Sequence, residues 1–128
     1  MHTDLRLLAY AAILAWLQVM TASGLRSRGD LAIAFGNRAD LSEPTPIAGR
    51  AERAARNMLE NLVLCTAVLL AAQGAGVGDS DRVVLGARLF FWARVAYFPV
   101  YLAGITYLRT ALWAVGVVGM GLITSAIL

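Results

Sequence analysis

Arg53, Arg56, Asn57 and Glu60 stand at i, i+3, i+4 and i+7, a spacing that on a helix lines up two guanidiniums, an amide and a carboxylate along one stripe. If the helix enters a membrane, lipid offers these groups no partner, so the stripe must face protein or a wet cavity. Arg56 and Glu60 also form an i,i+4 pair that neutralises itself in part, so a self-paired helix end stands beside the ligand-site reading. Arg94, Tyr97 and Tyr101 repeat the arrangement at i, i+3 and i+7, placing a guanidinium and two phenols on one face. Arg94 lies near the middle of an apolar run, where an unpaired charge costs ~3 kcal/mol or more. Its expected partner is Glu60, the one carboxylate this reading places within a span. The tyrosines read equally as core or interfacial aromatics, and Pro99 between them is expected to free a backbone carbonyl. Arg109 opens the last apolar run, as a site cation or as a topology-setting charge. Arginines, an amide, a carboxylate and phenols gathered at one end of a bundle suit an anionic, hydrogen-bonding ligand.

Other chemistry lacks candidates. The single histidine, His2, sits at the N-terminus, and no Ser-His-Asp set, metal cluster or phosphate-binding loop accompanies it, so metal ligands are not expected. The single cysteine, Cys65, lies inside an apolar run and reads as a small buried hydrophobe.

The elements that must carry these residues are apolar. Of 128 residues, 59% are hydrophobic and 15% charged, with a mean hydropathy of +0.68, which nearly excludes a water-soluble globule. Four apolar stretches, each long enough to cross a bilayer, take up most of the chain. They predict a single all-α transmembrane domain with helices over roughly 5–25, 56–75, 83–105 and 109–128 and a polar loop over 26–55, partly interfacial at Leu31 to Phe35. The first stretch also fits a cleaved secretory signal ending at Ala22, Ser23 and Gly24, but the residues before it carry no net positive charge. Gly116, Gly119 and Gly121 either pack the last helix against a neighbour or are merely tolerated there.

The net charge of +3 comes from eleven arginines, no lysine and eight carboxylates. No basic tail is present, and a nucleic-acid partner is not expected. Most arginines cluster at the helix ends flanking the long loop, which predicts an integral membrane protein with a cytoplasmic loop and both termini outside.

The run Arg53-Ala54-Ala55-Arg56-Asn57-Met58-Leu59-Glu60-Asn61 resembles the second-helix signature of the MAPEG family, membrane-associated proteins in eicosanoid and glutathione metabolism. Ala93-Arg94-Val95-Ala96-Tyr97 resembles the family's third-helix motif, Arg109 opens the fourth helix, and the likeness extends over nearly the whole chain, closest to the short bacterial branch. It implies a four-helix bundle assembled as a homotrimer with glutathione as cosubstrate. By that resemblance Arg56, Asn57 and Glu60 contact glutathione, with Arg26 added from the first helix. Tyr97 belongs to the same site, and Tyr101 and Arg109 come from an adjacent subunit. Arg109 would be the catalytic cation that favours the thiolate, since a nearby positive charge stabilises that anion. Three positions depart from the eicosanoid-synthesising members: Tyr97 replaces histidine, Thr110 serine, and Trp113 a tyrosine.

Two functions follow. One is a glutathione-dependent transferase or peroxidase acting on small lipophilic electrophiles inside the bilayer. The other is a non-catalytic MAPEG-like binding or scaffold protein that keeps the anion site without activating a thiol. A small transporter fits less well, because four spans without an inverted repeat do not make the usual transporter architecture.

Overall fold

The structure, a computed structural model, describes residues 3–27 and 45–128. Among the described residues are four helices: α1 (Thr3–Arg26), α2 (Pro46–Gly74), α3 (Asp81–Ala103) and α4 (Thr106–Ile127). Each is long and apolar enough to cross a membrane, so the all-α membrane fold class is as the sequence indicates. His2 and the Leu31–Phe35 segment lie outside the described residues.

The boundary of α2 corrects the sequence reading. The helix begins at Pro46, not near Arg56. Thr45 caps it, its hydroxyl oxygen accepting from the Ala48 amide at 3.2 Å, and Pro46 occupies the first helical turn, where a missing N–H costs nothing. The charged residues Arg50, Glu52 and Arg53 hide this segment from an apolarity criterion, while its alanines favour helix. At 1.5 Å per residue the 29 residues of α2 span about 44 Å, against about 30 Å of hydrocarbon. The helix is therefore roughly 14 Å longer than an untilted crossing of that slab requires. The loop expected over 26–55 is thus helical from Pro46 onward. Similarly, α4 starts at Thr106, which puts Arg109 in its first turn.

α1 and α2 pack along seams of small residues at alternating three- and four-residue spacing. Ala11, Ala15, Gln18 and Ala22 of α1 meet Ala51, Ala55, Met58 and Cys65 of α2. Cys65 is the buried hydrophobe the sequence suggests. Two contacts fix the antiparallel register: Ala22 clusters with Ala51 and Ala55 at one end, and Gln73 Nε2 donates to buried Asp4 Oδ2 at 2.7 Å at the other. That register brings Gln18 level with Met58. Asp4 is a second carboxylate within a span, which the sequence reading does not count.

The most extensive interface joins α3 to α4, and its centre is a backbone-to-backbone contact. A Cβ on Gly119 would fall 2.5 Å from the Gly86 carbonyl oxygen, and one on Gly86 would strike the Gly119 carbonyl oxygen. Two glycines, one on each helix, thus let the axes approach where lipid supplies no hydrophobic drive. Gly121 faces open space. At the α3–α4 corner Gly104 closes α3 with a left-handed φ of 78°, and Arg50 of α2 donates through Nε to the Leu102 carbonyl at 3.0 Å. The first part of α2 is thereby tied to the corner from which Arg109 emerges.

Gly119→Ala is expected to cost about 1–3 kcal/mol through overpacking against backbone that cannot rotate away. Gly121→Ala should leave stability the same or slightly higher. Thermal unfolding in detergent followed by tryptophan fluorescence compares the two.

Candidate functional site

At the end where α2 begins, three helices enclose a cavity of about 260 Å³. Arg53, Arg56, Asn57 and Glu60 line it from α2, Tyr97 and Tyr101 from α3, and Arg109 from α4. The stripe expected on α2 and the face expected on α3 therefore meet across one void.

Geometry sets each side chain. Arg53 Nε donates to the Tyr101 hydroxyl at 3.3 Å, and the Arg109 guanidinium lies over the Tyr101 ring, 4.6 Å from its centroid. Tyr101 is thus held between a hydrogen bond and a cation–π contact. Its ring meets that of Tyr97 edge-on at 5.6 Å, and the Arg94 guanidinium lies 4.1 Å from the Tyr97 centroid. Arg94, Tyr97, Tyr101 and Arg109 form a continuous column of two rings between two cations. Asn57 Oδ1 accepts from Asn61 Nδ2 at 3.3 Å, which orients the Asn57 amide along the helix.

Arg94 does not pair with Glu60, contrary to expectation. Its side chain is buried, only 1% exposed, and donates through Nε to the Met58 sulfur at 3.3 Å, with Nη2 lacking an acceptor among the described residues. Gly116 lies beside its aliphatic stem, 3.9 Å from an added Cβ to Arg94 Cδ. Glu60 is exposed to the cavity and, among the described residues, is bonded neither to Arg94 nor to Arg56. The self-paired helix end is therefore absent, and the carboxylate remains available.

The family model for the MAPEG family matches residues 5–128, nearly the whole chain. The chain belongs to the MAPEG family. No curated protein compared with it matches.

Set against the resemblance, this MAPEG chain gathers its residues differently in two respects. Tyr101 and Arg109 line the cavity together with the α2 stripe of the same chain, where the resemblance draws them from an adjacent subunit. Arg26 does not line it. Instead Arg26 Nε meets Glu52 Oε1 at 3.2 Å, by a neighbouring groove of about 350 Å³ between α1 and α2. That groove is largely apolar, with Val19, Ala22, Ala55 and Leu59 in its wall, and Arg56 lines both spaces. Arg53 is the cavity residue that the sequence reading left out of its site; its place on the 53/56/57/60 stripe was the available signal. Of the departing positions, only Tyr97 reaches the cavity. Thr110 spends its hydroxyl on the Thr106 carbonyl at 3.1 Å, and Trp113 does not line the void.

Three guanidiniums against one carboxylate give the cavity a net positive lining. Glu60→Gln is expected to tighten binding of inorganic sulfate by about two- to tenfold, the size of a single charge removed at close range. Isothermal titration at low ionic strength measures it, and the gain should shrink as salt screens the pair.

Proposed function

We propose that this protein is a membrane-embedded glutathione-dependent transferase or peroxidase acting on small lipophilic electrophiles. The observation that carries the reading is the convergence of Arg53, Arg56, Asn57, Glu60, Tyr97, Tyr101 and Arg109 on one void. Glutathione carries two carboxylates, an ammonium, two amides and a thiol, and the lining supplies a counterpart for each. Arginines take the carboxylates in bidentate contacts, Glu60 takes the ammonium, and Asn57 takes an amide. Arg109, held over Tyr101, supplies the positive charge beside the sulfur that stabilises a thiolate. The apolar groove sharing Arg56 gives a lipophilic reactant a path from the bilayer. In this reading Arg26 supports that groove through Glu52 and does not bind glutathione directly. The assembly is a homotrimer in a bacterial cytoplasmic membrane, with the 26–55 segment cytoplasmic and both termini outside.

The alternative, a non-catalytic MAPEG-like binding or scaffold protein, keeps the same cavity. It is favoured by Thr110 and Trp113, whose side chains offer nothing to a thiol here. Thiolate formation separates the two readings. Adding glutathione to the purified protein should raise absorbance near ~240 nm, where thiolates absorb, and Arg109→Ala should abolish the rise. Saturable binding with no such rise leaves the scaffold reading, and no binding at millimolar glutathione overturns the transferase reading. Glu60→Gln should weaken glutathione at least about tenfold, the scale of a lost charge-assisted bond, while it strengthens sulfate.

A further inference from the structure

Tyr97 differs from the other phenol in the cavity. The Tyr101 hydroxyl oxygen accepts from Arg53 Nε, which leaves its own proton free, whereas the Tyr97 hydroxyl has no hydrogen-bond partner of either kind among the described residues. The Tyr97 side chain is otherwise packed, 4% exposed, yet it lines the cavity and its oxygen is not among the sealed, unpartnered polar atoms. An unengaged O–H thus opens on the cavity. Behind the ring lies Arg94, a buried cation with no carboxylate and with one N–H lacking an acceptor among the described residues. Such a charge is incomplete until an anion forms beside it. Proton loss from Tyr97 would create that anion in place.

We infer that Tyr97 is a catalytic general acid that protonates the alkoxide leaving group when an alkyl hydroperoxide is reduced, with Arg94 positioned to hold the resulting phenolate. This rests on the glutathione reading above. In the first step the glutathione thiolate attacks the terminal oxygen of the hydroperoxide. An S–O bond forms and the O–O bond breaks, oxidising sulfur to the sulfenic acid and releasing an alkoxide. The alkoxide takes the Tyr97 proton and leaves as the alcohol. The phenolate then takes the proton of a second glutathione thiol, whose thiolate attacks the sulfenic sulfur to give the disulfide and hydroxide. The hydroxide is neutralised by the proton that the first thiol released. One hydroperoxide and two glutathiones become one alcohol, one disulfide and one water. An alkoxide is a strongly basic leaving group, so this is the step that gains most from a placed acid. Tyr101 also keeps a free O–H, but its oxygen and ring are held by Arg53 and Arg109, whereas Tyr97 has the buried, carboxylate-free Arg94 against its ring.

The test compares two oxidants whose leaving groups differ in basicity. Cumene hydroperoxide expels an alkoxide, and peracetic acid expels acetate, which needs no proton. In the full-length protein in detergent, Tyr97→Phe should shift the ratio of the two kcat/KM values about 30-fold or more against cumene hydroperoxide, within the range of a lost general acid. Arg94→Met should shift the ratio in the same direction, and Arg94→Lys should restore much of it. A glutathione titration and a melting curve for each variant separate this from lost binding or lost fold. A ratio unchanged within about threefold in a folded, glutathione-binding Tyr97→Phe protein overturns the acid role. Wild-type protein that binds glutathione but reduces neither peroxide also overturns it, and leaves the glutathione reading standing. Wild-type protein that binds no glutathione overturns both.

Discussion

Helices immersed in lipid gain little by hiding apolar surface from a solvent that is itself apolar, so a bundle of this kind depends on how closely its backbones can approach. In this protein the closest approach is between Gly86 and Gly119, where each missing side chain makes room for the other helix's carbonyl. Dispersion across that contact holds α3 against α4, and the rest of the site follows from it. With those axes together, Gly116 passes beside the Arg94 stem and Arg109 reaches over the Tyr101 ring. The alanine seam between α1 and α2 serves the same purpose with slightly larger residues.

Polar groups in the bundle are distributed unevenly. At one end the Gln73 amide donates to Asp4 Oδ2, which positions the carboxylate without cancelling its charge, and Asp4 Oδ1 has no partner among the described residues. At the other, arginines outnumber carboxylates, and Arg94 is held by a thioether and an aromatic face, neither of which cancels its charge. The fold therefore stores positive potential at a single end and exposes it through a lining that is rigid on the α3 side. Tyr101, gripped by both Arg53 and Arg109, is the joint through which α2, α3 and α4 hold that lining together.

What was legible in the sequence is what depends on one helix at a time. The four spans, the stripe 53/56/57/60 and the face 94/97/101 follow from periodicity, and the cavity is where those faces meet. Properties shared between helices were not legible. Arg94 was expected beside Glu60 because a buried charge needs a partner, but a methionine sulfur and a tyrosine ring supply the contact instead. The glycine contact was obscure because its two members lie on different helices, so no spacing within one segment marks it. The early start of α2 was missed because apolarity reports only the part of a helix that lies in hydrocarbon. Arg26 was drawn elsewhere by Glu52, a residue of that same unrecognised first part of α2.

The place of the cavity along α2 has a consequence for how the protein meets its surroundings. The cavity is lined from just past the charged first turns of α2 and shares Arg56 with a largely apolar groove, so a charged solute and an oily one have different surfaces to approach it by. Water delivers any charged solute at its bulk molarity. An oily one arrives at a density fixed by its partition coefficient and by the amount of lipid that shares it. Added empty vesicles would dilute the second without touching the first, and encounter becomes a matter of surface mole fraction instead of volume concentration.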